Sequence, residues 1–237
     1  MNKAIVTGAS SGIGLKITKM LLEHGYEVYG IGRKFVDEIN HPLFHKIVCN
    51  LLDEDALKKC IEMIPTKEIT LLVNNAGCAY YGMHETIKKD QIKEMVRLNL
   101  EIPMILTQQY IRSLRDNKGT IINIASISGT HAAPHGASYA ATKAGLISFS
   151  RSLFEENRKH GMKVTCIIPD MTDTNLYRNA DFEADKEFGC CIEPEDIAMI
   201  IEEIIEKKDG IVVTEITVQP QYHRIKKKNQ RTEVLGL

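Results

Sequence analysis

Tyr139 and Lys143 lie four residues apart, and Ser126 stands thirteen residues before the tyrosine. On a helix that spacing puts phenol and ammonium on one face, one turn apart. There the cation stabilises a phenolate and pulls its pKa down from about 10, which makes the tyrosine a usable proton donor or acceptor. A second group of residues speaks of phosphate. The run Thr7-Gly8-Ala9-Ser10-Ser11-Gly12-Ile13-Gly14 follows the β-rich Ala4-Ile5-Val6 and precedes the amphipathic Leu15 to Leu22. In a strand-turn-helix of this kind Gly8 permits the turn, Gly12 lets backbone approach a pyrophosphate and Gly14 lets the helix pack near the sheet. The helix N-terminal amides attract the anion. Together the two groups outline a redox enzyme.

These side chains must be held by a larger frame, and the chain shows one. Lys3 to Thr7, Glu27 to Ile31, Phe44 to Cys49, Leu71 to Val73, Thr120 to Ile124, Lys163 to Ile168 and Ile211 to Val218 read as strands. Between them, helical periodicity covers Gly12 to His24, Asp53 to Ile64, Lys89 to Leu114, Ser138 to His160 and Pro194 to Lys207. The alternation of continuous Ile/Val/Leu runs with helices is the pattern of parallel βαβ units. It predicts one α/β domain over residues 1–218, a doubly wound parallel sheet of about seven strands in the Rossmann style, flanked by helices. Residues 175–193 have no clear periodicity, carry Tyr177, Phe182 and Phe188, and follow the sixth strand at its carboxyl end, where a substrate lid would sit. The tail 219–237, with Arg224 and Lys226-Lys227-Lys228, reads as a solvated terminus.

Composition narrows the partners. A chain of 237 residues, 43% apolar, can bury one substantial core. A formal charge of −1 gives no reason to expect nucleic acid or an anionic membrane. No stretch reaches the length of an apolar membrane span, and the chain begins directly with a strand, so the expected location is the cytoplasm. Six cysteines, at 49, 60, 78, 166, 190 and 191, lack zinc-type spacing and read as free thiols. His131 and His135 are four apart, but Pro134 and Gly136 argue against a helix presenting both to one metal, so no metal site is expected.

The glycine spacing, Thr-Gly-x-x-x-Gly-x-Gly, together with Asn74-Asn75-Ala76-Gly77, Asn99, Ser126, Tyr139-x-x-x-Lys143, Pro169 and Thr174, resembles the short-chain dehydrogenase/reductase family over most of the chain. The resemblance implies that Tyr139 exchanges a proton with the substrate oxygen while hydride moves between substrate carbon and nicotinamide. It implies that Lys143 holds the nicotinamide ribose and depresses the tyrosine pKa, that Ser126 bonds the substrate oxygen, and that Asn99 helps hold a water linking Lys143 to solvent. The cofactor would rest on Gly8, Ser10, Ser11, Gly12, Ile13 and Gly14, with Asn74, Ala76 and Gly77 on the adenosine and ribose side. Asn74 would also tie strands together. Pro169 and Thr174 would approach the nicotinamide or pyrophosphate. Asn50 and Leu51 stand where relatives place an aspartate for the adenine.

At the end of the second strand, Gly30-Ile31-Gly32-Arg33-Lys34 offers two cations and no acid, which favours NADP(H), with NAD(H) as the other possibility. Asp170 replaces the family's glycine after Pro169 and leaves its own role open, facing inward to the nicotinamide or outward as a tolerated loop substitution. The expected function is NAD(P)-dependent hydride transfer to or from a small carbonyl or secondary alcohol. A 3-oxoacyl-(acyl-carrier-protein) reductase is the enzymatic alternative, and an inactive nucleotide-binding sensor or scaffold the alternative of another class. In relatives the two long helices, here bearing Ile105, Leu106, Leu146 and Phe149, pair subunits, which implies a homodimer or homotetramer.

Overall fold

Seven runs become strands of one sheet, the five inner ones covered on both faces and the two at its edges left partly exposed. In the computed structural model, which describes residues 2–36, 38–208 and 210–228, β1 (Lys3–Thr7), β2 (Glu27–Gly32), β3 (Phe44–Val48), β4 (Ile69–Asn74), β5 (Thr120–Ile124), β6 (Lys163–Pro169) and β8 (Glu215–Val218) form one sheet. All its pairings are parallel, in the order β3-β2-β1-β4-β5-β6-β8. Along β1, Ala4 and Val6 pack with Ile17 and Leu21 of α1 (Gly12–Glu23) and with Ile197 and Ile201 of α6 (Pro194–Ile205). Ile5 points the other way, into a core with Leu57 of α2 (Glu54–Glu62), Leu106 and Tyr110 of α4 (Ile102–Asp116) and Leu153 of α5 (Ala137–Asn157). Two-sided burial is why the strands read as unbroken apolar runs rather than alternating ones. Strand order reverses between β1 and β4, and the carboxyl ends of these strands open a crevice there.

The expected helix Lys89 to Leu114 is not one regular helix. It divides into α3 (Lys89–Val96), a π turn at Arg97–Glu101, and α4. Pro103 supplies the reason, since it has no N–H to give the carbonyl four residues back, which is that of Asn99. Of the four apolar residues expected to pair subunits, Leu106 and Leu146 are buried in the core, and Ile105 and Phe149 retain part of their exposure. The expected strand Ile211 to Val218 is regular only over β8. Residues 211–214 reach the sheet edge through single bonds, Thr165 Oγ1 to the Val213 carbonyl and Cys166 N to that of Thr214.

The tail differs most from expectation. Its described part, 219–228, folds back over the lid instead of standing free in solvent. β9 (Ile225–Lys227) pairs antiparallel with β7 (Phe182–Ala184) inside the segment 175–193. Residues 229–237 lie outside the described residues. All six cysteines are free, and among the described residues no helix is long and apolar enough to cross a membrane.

Candidate active site

Thr7, the last residue of β1, organises the mouth of the crevice. Its hydroxyl donates to the Val73 carbonyl and accepts the backbone N–H of Asn75 at 2.9 Å and of Ala76 at 3.0 Å. The Asn75 side-chain amide returns a bond to the Thr7 carbonyl at 2.8 Å. The glycine turn is thereby bolted to the loop after β4. Gly8 has φ +69, a region a side chain disfavours, and a Cβ there would stand 2.7 Å from Asn75 Nδ2. Gly14 has no room at all, since a Cβ would fall inside the Gly8 carbonyl and the Asn75 amide. Gly14→Ala is therefore expected to cost about 1–3 kcal/mol through overpacking. A thermal melt checks this, with Tm falling by roughly 2–4 °C per kcal/mol.

The turn runs into the N-terminus of α1, where Ser11 makes no side-chain cap and the first-turn amides are left for another acceptor. From there a cleft of about 1190 Å³, open mouth included, extends along the carboxyl ends of the strands. Of the residues expected from sequence, Gly8, Ser10, Ser11, Gly12, Ile13, Arg33, Asn50, Leu51, Ala76, Gly77, Ser126, Tyr139, Lys143, Pro169 and Thr174 all line it. The bare backbone at Gly8 and Gly12 and the uncapped helix end fit the phosphates of a dinucleotide.

Four expected residues are placed elsewhere. Gly14 lies buried beneath the turn, and Lys34 is exposed beyond the cleft. Asn74 is buried in the sheet, where Nδ2 donates to Asn123 Oδ1 at 2.8 Å; Asn123 in turn donates to Ser150 Oγ on α5. Asn75 faces the cleft in its place. Asn99, 1% exposed in the π turn, clasps the Cys78 backbone, accepting from its N–H and donating to its carbonyl, both at 2.9 Å, and donates to Thr142 Oγ1. It braces the wall behind Lys143, with both ends of its side-chain amide bonded to protein groups.

The reacting group is deeply set. Tyr139 is 2% exposed and Lys143 4% exposed on the inner face of α5. Burial pushes the phenol up to about 12, with Ser126 hydrogen-bonding it and pulling the other way. Burial pushes the lysine down to about 8. The expected lowering of the tyrosine by its neighbour is thus reversed. The Lys143 ammonium sits 5.8 Å from the ring centroid and donates to the Ile124 carbonyl at 2.7 Å, so desolvation outweighs the cation.

Several contributors were not anticipated. Thr172, Leu176, Tyr177 and Arg178 line the cleft from the lid side. Tyr81 packs between Tyr139, Tyr177 and Phe182 at centroid distances of 5.9, 6.2 and 5.0 Å and roofs the phenol with apolar surface. Only the aromatic content of 175–193 hinted at this. Asp170 accepts from His223 Nδ1 at 3.1 Å and Gln219 Nε2 at 3.3 Å, which ties the cleft wall to the folded-back tail. His131 and His135 are exposed and outside the cleft lining; His135 has φ +62 and its carbonyl receives Gly82 N–H.

The chain is similar to known proteins. Residues 2–185 match the family model described as short chain dehydrogenase. A probable NADP-dependent dehydrogenase of Haemophilus influenzae is 30% identical over 234 residues, covering 92% of each chain. A 3-oxoacyl-[acyl-carrier-protein] reductase of Salmonella typhimurium is 32% identical over 183 residues, 74% of this chain and 75% of that one. Among solved structures, an alcohol dehydrogenase from Thermococcus sibiricus complexed with 5-hydroxy-NADP superposes with a TM-score of 0.82 at 22% identity, covering 94% of this chain and 98% of the other, a likeness of fold. With the family model spanning most of the chain and a glycine turn, serine, tyrosine and lysine meeting in one cleft, the protein belongs to the short-chain dehydrogenase/reductase family of oxidoreductases.

Proposed function

We propose that the protein is an NADP(H)-preferring oxidoreductase that interconverts a small carbonyl compound and its secondary alcohol. The convergence of Ser126, Tyr139 and Lys143 on a cleft that also holds the glycine turn is the observation that carries this reading. The dinucleotide supplies or accepts hydride at its nicotinamide. The chain supplies the proton and the alignment. Tyr139, protonated at neutral pH because its pKa is pushed up to about 12, donates to the substrate oxygen during reduction. Ser126 orients the phenol and the substrate oxygen. Lys143 offers the ribose a donor from a site where burial holds its pKa near 8. The aromatic roof of Tyr81, Tyr177 and Phe182 excludes water from the reacting atoms.

Arg33 lines the cleft at the end of β2, where no acid stands to repel a 2′-phosphate. The Haemophilus relative described as NADP-dependent supports the same preference. Arg33→Ala is expected to weaken NADPH binding by about 10-fold or more and leave NADH binding nearly unchanged, since a hydrogen bond to a charged group is worth ~1.5–3 kcal/mol. Separate titrations following nicotinamide fluorescence measure both. Equal NADPH affinity in wild type and variant would sink the assignment of Arg33. Catalysis itself is tested by NADPH oxidation against a panel of ketones, aldehydes and 3-oxoacyl thioesters. Tight binding with no turnover on any of them would favour a nucleotide sensor.

The similarity to the Salmonella reductase keeps 3-oxoacyl thioesters on that panel. An acidic carrier protein would meet lid acids of which two are already paired with cations. Asp185 is paired with Lys226 and Glu187 with Arg224.

A further inference from the structure

The lid segment carries its charges in two separate sets. Two of its acids are taken up by the folded-back tail, Asp185 by Lys226 at 2.7 Å and Glu187 by Arg224 at 3.4 Å, and the neighbouring Asp173 is taken up by Lys186 at 2.6 Å. Asp170 is held by His223 and Gln219. Lys228 reaches across to donate to the carbonyls of Tyr177 and Ala180, at 2.5 and 3.0 Å, and so fixes the C-terminal end of the lid turn Asn175–Asn179.

Arg178 stands apart from this neutralised set. It belongs to the same turn, is exposed, and lines the cleft. Its guanidinium donates to the Asn175 carbonyl of its own turn at 3.1 Å and has no carboxylate partner among the described residues. The charged residues lining the cleft are Arg33, Lys143 and Arg178 against Asp170 alone, and Asp170 is already engaged. Burial and Glu94 push the Cys78 thiol up to about 12, while Arg178, Lys143 and Arg33 all pull it down. The lid turn begins over the phosphate-binding turn: Thr174 Cγ2 is 3.2 Å from where a Cβ on Gly12 would lie. Arg33, at the end of β2, serves the adenosine end, which leaves the span beside Gly12 to the cation of the lid.

We propose that Arg178 is a lid-borne anchor for the pyrophosphate of the bound dinucleotide, meeting it from the side opposite the α1 amides. The inference rests on the dinucleotide-dependent reading above. A guanidinium fork suits two phosphate oxygens at once, and its rigid turn, pinned by Lys228, holds it at the cleft instead of leaving it loose on the surface. Seating the dinucleotide then also seats the lid.

The test is a fluorescence titration of wild type, Arg178→Ala and Arg178→Lys with NADPH and NADH, without substrate, beside a ligand-free thermal melt of each. The expected result is a loss of about 10- to 100-fold in affinity for both dinucleotides in Arg178→Ala, the range of a charged hydrogen bond. Arg178→Lys recovers part of it, and the ligand-free Tm values coincide because the side chain is exposed. Unchanged affinity for both dinucleotides overturns the proposal. So does a loss confined to NADPH, which would move Arg178 to the 2′-phosphate. Normal cofactor binding with a raised KM for anionic carbonyl substrates overturns it in favour of a substrate contact. Failure of the wild type to bind either dinucleotide overturns the functional reading and this proposal together, whereas failure in the variant comparison alone leaves the functional reading standing.

Discussion

Replacing Tyr139 by phenylalanine will lower kcat for carbonyl reduction by roughly 10²- to 10⁴-fold, the usual contribution of a positioned general acid, and leave NADPH affinity nearly unchanged. The split follows from where the hydroxyl stands. It points at Ser126 in a pocket that leaves the residue 2% exposed, and phenylalanine keeps the ring packing against Tyr81 while removing the hydroxyl and its proton. Steady-state kinetics with any active carbonyl, beside a fluorescence titration, measures both quantities. A variant retaining more than about a tenth of the rate would show that the proton comes from elsewhere.

The same pKa sets a direction-dependent pH profile. Burial first, offset in part by Ser126, holds the phenol near 12, so it remains protonated through the physiological range. Reduction, which consumes that proton, should not weaken through loss of the phenol proton as pH rises from 6 to about 9. Alcohol oxidation, which needs the phenolate, should rise over the same range. A fall in oxidation toward alkaline pH, without loss of the folded protein, would contradict a tyrosine base in this environment.

The second large effect is on stability. Lys143 goes from 10.5 to about 8 in the folded chain because burial disfavours the ammonium, a change on the order of 3 kcal/mol. A depressed folded pKa contributes stability that is fully present above pH 10.5 and is lost as pH falls through about 8. The unfolded chain binds the extra proton in that window, so the slope of unfolding free energy with pH is positive, up to about 1.4 kcal/mol per unit. Lys143→Met removes the titration. Its stability relative to wild type is expected to be most favourable near pH 7 and to decline by on the order of 2 kcal/mol by pH 10. Denaturant unfolding of both proteins across that range reads the difference directly. Above pH 10 Tyr139 acts in the opposite sense, since a raised pKa loses its contribution as pH climbs toward 12. A constant difference between the two proteins from pH 7 to 10 would mean that Lys143 is solvated in solution.

Much of this protein was legible in its residues. Strands buried on both faces must be apolar throughout, so β1, β2, β4, β5 and β6 and the order of the helices between strands were written as local pattern. The glycine turn was equally plain, because a backbone with φ +69 at Gly8 and no room for a Cβ at Gly14 restricts the residue type at those very positions. Ser126, Tyr139 and Lys143 were legible through spacing, since a helix converts four residues into one turn. What tertiary structure alone decided was where long-range partners meet. The strap of 219–228 on the lid depends on two three-residue strands some forty positions apart, too short to carry periodicity of their own. The turning of Asp170 to His223, the withdrawal of Asn74 into the sheet and the exposure of Arg178 to the cleft likewise depend on which neighbours arrive from distant segments. The tyrosine pKa was reversed for the same reason: spacing specifies that an ammonium is near, but only packing determines how much water is excluded and that the Ile124 carbonyl claims the ammonium first.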